Sequence, residues 1–109
     1  MNKKLYEIHA EICKTLGNAK RIEILYALNN KELTVGELAD TLGISAANVS
    51  QHLAVMRQKG ILTARREGSN IHYRVSNPKV IRACSLMREV LLEQLAEGQG
   101  IAKKFTGAK

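Results

Sequence analysis

The chain has 109 residues, of which 45% are hydrophobic and 4% aromatic, with no Trp and a formal net charge of +7. This length allows one modest core, built mainly from Leu, Ile, Val and Ala. No apolar run approaches the roughly 20 residues that span a bilayer, and the N-terminal region lacks the apolar stretch of a signal peptide. We therefore expect a cytoplasmic protein without a membrane partner.

The positive charge lies in the middle of the chain. Residues 1–40 and residues 89–109 each contain equal numbers of basic and acidic side chains, whereas residues 41–88 contain eight basic side chains and a single acidic one. Such a local excess is typical of a surface that binds a polyanion, although a solvated basic face is the alternative interpretation.

Helical spacing begins close to the N-terminus. A histidine and a cysteine share the apolar stripe of the first predicted helix, which comprises Leu5, Ile8, His9, Ile12, Cys13 and Leu16. Gly17 ends this helix, and Asn18 is a suitable cap for a second one. The inward residues of the second helix are expected to be Ile22, Leu25, Tyr26 and Leu28.

Two further helices follow. Thr34 and Glu37 have the spacing of a capping box, which predicts a third helix as far as Thr41. Gly43 suits a tight turn, and Ser45 can cap a fourth helix that ends near Gly60. The fourth helix is expected to turn three residues inward: Val49, Leu53 and Met56.

The periodicity changes after Gly60. Residues 61–66 and 71–75 are extended runs joined by residues 67–70, which predicts a β-hairpin. Asn77 and Pro78 can begin a fifth helix. Its stripe consists of Val80, Cys84, Met87, Leu91 and Leu95. The sequence thus predicts a mainly α domain over residues 1–97, with about five helices and a two-stranded hairpin, and a flexible basic tail over residues 98–109.

The third and fourth helices have the spacing of a helix-turn-helix. Ala39 permits close helix crossing, Gly43 makes the turn, and Val49 packs the second helix on the first. An ordinary corner between two helices is the alternative. The outward face of the fourth helix favours DNA recognition, because it carries no acidic residue and Asn and Gln can bond adenine. That face comprises Ala46, Ala47, Asn48, Ser50, Gln51 and Ala54.

The hairpin resembles a wing. Arg65 and Arg66 lie at its base, and Ser69 and Asn70 lie at its tip. Arginines there can contact phosphates, while the tip can enter the minor groove. A hairpin that only covers the core is the alternative, and the scarcity of acidic residues argues against it.

Together these motifs resemble the ArsR family of winged helix-turn-helix repressors. The resemblance extends from about Glu11 to Leu95. It is carried by residues 16–25, 33–39, 50–53, 60–62, 66–68 and 73–75. It implies a homodimer formed by the first and last helices, an inverted-repeat operator with half-sites about 34 to 36 Å apart, and repression relieved by an inducer.

Carried over position by position, the family's DNA contacts fall on the fourth helix and the wing. The expected contacts are Ser45, Ala46, Asn48, Ser50, Gln51, His52, Arg66, Ser69 and Asn70. His52 has a second interpretation, as a histidine packed against the preceding helix.

The inducer is open. Family members that bind arsenic or cadmium have cysteines where this chain has Thr34 and Gly36, and the fifth helix lacks the Asp and His ligands of the zinc-binding members. Cys13 and Cys84 lie on the two helices that the family uses for dimerisation. They can form a disulfide or persulfide in response to an oxidant or reactive sulfur, or bind a thiophilic metal with His9 and Met87, although the family's dithiol sensors place their cysteines elsewhere. Ordinary packing of both thiols is the third interpretation.

Two other functional classes compete with a repressor. An enzyme is not expected, since His9, His52 and His72 have no evident carboxylate or nucleophile partner and no phosphate-binding glycine loop is present. A winged-helix module that binds another protein is the stronger rival. The salt dependence of binding separates it from a DNA-binding protein.

Overall fold

A computed structural model describes residues 2–98. The chain forms α1 (Lys3–Leu16), α2 (Ala19–Ala27), α3 (Val35–Leu42), α4 (Ala46–Gln58), β1 (Leu62–Glu67), β2 (Asn70–Val75) and α5 (Lys79–Ala96). These five helices and the antiparallel hairpin confirm the predicted winged helix-turn-helix architecture. The tail predicted over residues 98–109 lies outside the described residues, apart from Gly98.

The chain divides into two compact units. The first ends at Pro78 and contains α1 to α4 and the hairpin, and the second begins at Lys79 and contains α5. No helix among residues 2–98 combines the length and the apolar character that a membrane crossing requires.

Local side-chain chemistry defines the helix ends as the sequence predicts. The Asn18 side chain accepts hydrogen bonds from the Lys20 and Arg21 amides at 3.0 and 3.2 Å. Thr34 and Glu37 form the reciprocal capping box, with bonds of 3.2 and 2.9 Å. These bonds satisfy amide groups that the first turn of a helix leaves without a partner.

The core of the first unit is aliphatic. Its buried side chains are Ile24, Leu25, Leu28, Leu38, Val49, Leu53, Met56, Ile61 and Leu62. The inward prediction for α4 is confirmed, but that for α2 is only partly correct: Ile22 and Tyr26 are half-buried and Ile24 is fully buried. The helix α2 contacts α1, α3 and α4, so its buried arc is wider than the stripe of a helix covered on one side.

The hairpin is tighter than the sequence predicts. Its pairing runs from Leu62 with Val75 to Glu67 with Asn70, which leaves a two-residue turn of Gly68 and Ser69. Gly68 has φ of +63°, a conformation that favours glycine. A further antiparallel bridge joins Leu33 and Tyr73, with bonds of 3.1 and 2.9 Å, and so fastens the hairpin to the segment before α3.

Candidate nucleic-acid interface

The helix α4 separates an aliphatic face from a polar one. Val49, Leu53 and Met56 are at most 1% exposed, and Ser45 caps the helix by accepting a bond from the Asn48 amide at 3.1 Å. The opposite face is exposed at each position that the sequence placed there, namely Ala46, Ala47, Asn48, Ser50, Gln51 and Ala54. The result is a slender face of small and neutral polar side chains, which can approach the edges of base pairs closely.

The turn between α3 and α4 holds this face in place. Gly43 has φ of +69°, and its amide and that of Ile44 both bond the Ala39 carbonyl, at 2.8 and 3.2 Å. Leu38 on α3 is fully buried, and α3 and α4 are in contact. These features complete the helix-turn-helix.

The tip of the wing lies beside the start of α3. A shallow cavity of about 350 Å³ separates them, and its lining includes Thr34, Gly36, Ser69 and Asn70. Ser69 and Asn70, two of the predicted contact residues, are both exposed. The tip is therefore accessible to a ligand that also covers the start of α3.

The two wing arginines differ in their partners. Arg65 donates to Glu32 at 2.8 to 3.1 Å and to Glu67 at 2.8 Å. These bonds lower the pKa of both carboxyls and raise the pKa of the guanidinium. The Arg66 side chain is exposed and has no hydrogen-bond or ion-pair partner within the described residues. Arg66 is thus the wing arginine available to a phosphate, whereas Arg65 ties the wing to the segment before α3.

Part of the central positive charge is balanced within the fold. Besides Arg65, Lys59 pairs with Glu11 of α1 at 3.3 Å. Arg57, at the end of α4, and Arg74, on β2, are exposed on the same unit. Two of the acidic partners, Glu11 and Glu32, come from distant parts of the sequence, so a count along the central segment overstates the charge that is free to bind a polyanion.

His52 is held by a residue that the sequence analysis did not single out. Its Nδ1 accepts a hydrogen bond from Nε of Arg21 at 3.1 Å, and Nη1 of the same arginine donates to the Thr15 carbonyl at 3.0 Å. Partial burial and the nearby Arg21 charge lower the pKa of His52. The ring is therefore bonded to α2, whereas packing against the immediately preceding helix, one of its two interpretations, stays a prediction.

The candidate sensing residues differ in exposure. Cys13 on α1 is exposed, as is His9, while Cys84 on α5 is half-buried. Burial raises the pKa of the Cys84 thiol, and the Arg88 charge opposes this rise. Across residues 2–98 no three His, Cys, Asp or Glu side chains are grouped as a metal site requires.

Comparison with known proteins identifies the family. The sequence model described as "Bacterial regulatory protein, arsR family" matches residues 18–64. The chain is similar to the HTH-type transcriptional regulator Rv0081 of Mycobacterium tuberculosis, with 36% identity over 85% of this chain and 82% of that protein. It is also similar to the transcriptional activator HlyU of Vibrio cholerae, with 34% identity over 72% of this chain and 73% of that protein.

Solved structures agree with this assignment. The Rv0081 crystal structure matches with a TM-score of 0.78 and 35% identity, covering 88% of this chain and 97% of that one. The homodimeric winged helix-turn-helix DNA-binding domain Mb0332 of Mycobacterium bovis matches with a TM-score of 0.74 and 29% identity, covering 88% of each. The chain belongs to the arsR family of bacterial regulatory proteins, which are transcriptional regulators and not enzymes.

Proposed function

We propose that this regulator is a cytoplasmic repressor that binds an inverted-repeat DNA operator as a homodimer, with α4 as its recognition helix. The observation that carries the proposal is the exposed face of α4, which is small, polar and free of acidic residues, with the unpaired Arg66 on the adjoining wing. On this basis Asn48, Ser50 and Gln51 contact base edges, and Arg66 contacts a phosphate.

The case for a homodimer comes from two helices with uncovered apolar side chains. On α1, Leu5, Tyr6 and Ile8 are about half exposed. On α5, the large exposed apolar residues are Leu86, Met87, Val90, Leu92 and Leu95. Full burial of an exposed side chain of this kind is worth about 1.5 to 3 kcal/mol, so a second copy that covers the remaining exposed part would gain a share of this energy at each position. The homodimeric relative from Mycobacterium bovis supports this arrangement.

We infer that the inducer acts on Cys13 and Cys84. The exposed Cys13 would react first, because Cys84 is half-buried and its raised pKa leaves less thiolate. A peroxide converts one thiol to a sulfenic acid and releases water. The second thiol then displaces another water to form the disulfide. An inorganic polysulfide would instead transfer a sulfane sulfur to a thiol, which leaves a persulfide on the cysteine and releases a polysulfide one sulfur shorter.

Fluorescence anisotropy of a labelled duplex from upstream of the protein's own gene tests both the DNA binding and its control by the two thiols. We expect tight binding when the thiols are reduced, and release after peroxide or polysulfide treatment in the wild type but not in Cys13→Ser. Tight binding that neither reagent changes would support the repressor but not the thiol switch, and metals would then be tested as inducers. A transcription assay on the same promoter separates repression from activation, the activity named for HlyU.

A protein-binding winged helix is the second candidate. The uncovered apolar residues on α5 favour it, because such surfaces bind other proteins as readily as a second copy. Absence of binding to any duplex, together with a monomeric state, would support this candidate and overturn the repressor.

A further inference from the structure

One arginine connects three helices of the first unit. Arg21 lies in the first turn of α2, its Nη1 donates to the Thr15 carbonyl in the last turn of α1, and its Nε donates to Nδ1 of His52 on α4. Thr15 is buried, and Arg21 and His52 are both half-buried. The planar guanidinium presents several N–H donors in fixed directions, so it can serve both acceptors at once.

This contact determines where the His52 ring carries its proton. Arginine is only a donor, so Nδ1 of His52 must present a lone pair, and the proton of the neutral ring lies on Nε2. A second proton on Nδ1 would remove the acceptor and set two cations against each other. The bond to Arg21 therefore keeps His52 neutral and makes Nε2–H its single donor.

The Nε2 donor of His52 is free within the described residues. Nε2 has no hydrogen-bond partner within residues 2–98. The side-chain polar atoms of that range that are both buried and without a partner are Thr63 Oγ1 and Ser76 Oγ, so Nε2 is not buried. It therefore reaches solvent. His52 follows the exposed Asn48 by four positions, so the two side chains are neighbours on the surface of the helix.

We propose that Arg21 is a positioning residue for DNA recognition, which fixes His52 so that Nε2–H donates a hydrogen bond to an acceptor on the DNA. The inference deepens the proposed function and rests on it. It gives the two ring nitrogens of His52 separate roles, since one is bonded to α2 while the other binds the ligand. It also gives Arg21 a role in DNA affinity although it need not touch DNA.

Two substitutions of His52 separate the nitrogens. In His52→Gln the amide nitrogen lies close to the position of Nε2 and keeps the outward donor, whereas in His52→Asn it lies close to that of Nδ1 and the outward donor is lost. We expect His52→Asn to bind the operator about tenfold or more weakly than the wild type. His52→Gln keeps the outward donor but offers Arg21 no acceptor, so we expect it to bind with intermediate affinity. Equal affinity of all three proteins would overturn the proposal.

A double-mutant cycle tests whether Arg21 acts through His52. Arg21→Ala should weaken operator binding in the wild type and have little further effect in a His52→Ala background. Additive losses would overturn the positioning role. The amide NMR spectrum of each variant checks that it is folded, and the pair of His52 substitutions remains decisive if Arg21→Ala does not fold.

The tautomer itself is measurable in the free protein. Long-range ¹H–¹⁵N spectra at neutral pH should show His52 with its proton on Nε2 and an unprotonated Nδ1, and a ring with its proton on Nδ1 would overturn the inference.

A loss of affinity in His52→Asn that is confined to operator DNA would assign the acceptor to a base, and an equal loss on random DNA would assign it to a phosphate. If the wild type binds the operator and the His52 substitutions leave that affinity unchanged, the proposed function stands and only this inference is overturned. A wild type that binds no duplex would overturn both.

Discussion

The helices α4 and α5 have the same kind of apolar stripe but opposite surroundings. Val49, Leu53 and Met56 of α4 are buried within the first unit, whereas Met87 and Leu95 of the α5 stripe are 61% and 39% exposed. An apolar stripe therefore predicts that a helix face is covered, but it does not predict which element or partner covers it. In α4 the stripe fixes the helix so that its polar face is presented, and in α5 the exposed part of the stripe is available for association.

The largest expected effect is on the dimer. Met87→Glu would place a charge among the apolar side chains that a second copy covers, at a cost of about 3 to 5 kcal/mol. Sedimentation equilibrium should show a predominantly monomeric variant. Glu89→Gln, an exposed change on the same helix, is the control. A Met87→Glu protein that stays dimeric at the wild-type dissociation constant would exclude this face from the interface.

The corresponding change in α4 acts on the fold instead. Leu53→Ala removes a side chain that is 1% exposed, so the free energy of unfolding should fall by about 2 to 5 kcal/mol. Urea denaturation at fixed protein concentration measures the loss. The control is Ala54→Ser, on the exposed side of the same helix, which should change stability by less than about 0.5 kcal/mol. Similar stability of the two variants would contradict the division of α4 into two faces.

The exposed face of α4 should affect specificity more than stability. Gln51→Ala is expected to weaken operator binding by about 1 to 3 kcal/mol and leave the unfolding midpoint unchanged. Competition between operator and random duplexes separates base recognition from general affinity. An equal loss on both duplexes would rule out a base contact by Gln51.

The two wing arginines make a matched pair. Arg66→Ala should weaken binding to every sequence and reduce the slope of log affinity against log salt by about 0.9 for each lost phosphate contact. Arg65→Ala should change this slope less, because Glu32 and Glu67 already neutralise its charge. Identical slopes for Arg66→Ala and the wild type would remove Arg66 from the phosphate contacts.

The smallest expected effect is on the pH dependence of stability. The folded protein lowers the pKa of His52 below its ordinary value of about 6.5, so folding favours the neutral ring. Stability is therefore full above about pH 6.5 and falls as the pH drops through the lowered pKa. The carboxyls of Glu32 and Glu67, whose pKa values are also lowered, titrate below this window. The thermal midpoint should fall further between pH 7.5 and pH 5.5 in the wild type than in His52→Gln. Equal decreases in the two proteins would contradict this assignment.

Local chemistry made much of the fold predictable. The capping box of Thr34 and Glu37, the left-handed turn at Gly43 and the hairpin around Gly68 each depend on residues within a few positions of one another. The exposed face of α4 was predictable for the same reason, since its periodicity is local.

Contacts between distant residues could not be predicted. Arg21 and His52 are 31 positions apart, and Arg65 and Glu32 are 33 apart, so no spacing rule connects either pair. Ile24 was missed as a core residue because three helices contact α2, which a single amphipathic stripe cannot indicate. For Arg21, the one signal available in the sequence was its place as a basic residue in the first turn of α2.

The salt dependence of operator binding tests the central claim most directly. Anisotropy of a labelled duplex, titrated with reduced wild-type protein from about 50 to 300 mM salt, measures how many phosphates the protein neutralises. A dimer that brings one Arg66 from each copy should give a log–log slope of about −2 or steeper, with tighter binding to operator than to random DNA. A slope near zero, or no binding at the lowest salt, would contradict the assignment of α4 and the wing to DNA recognition.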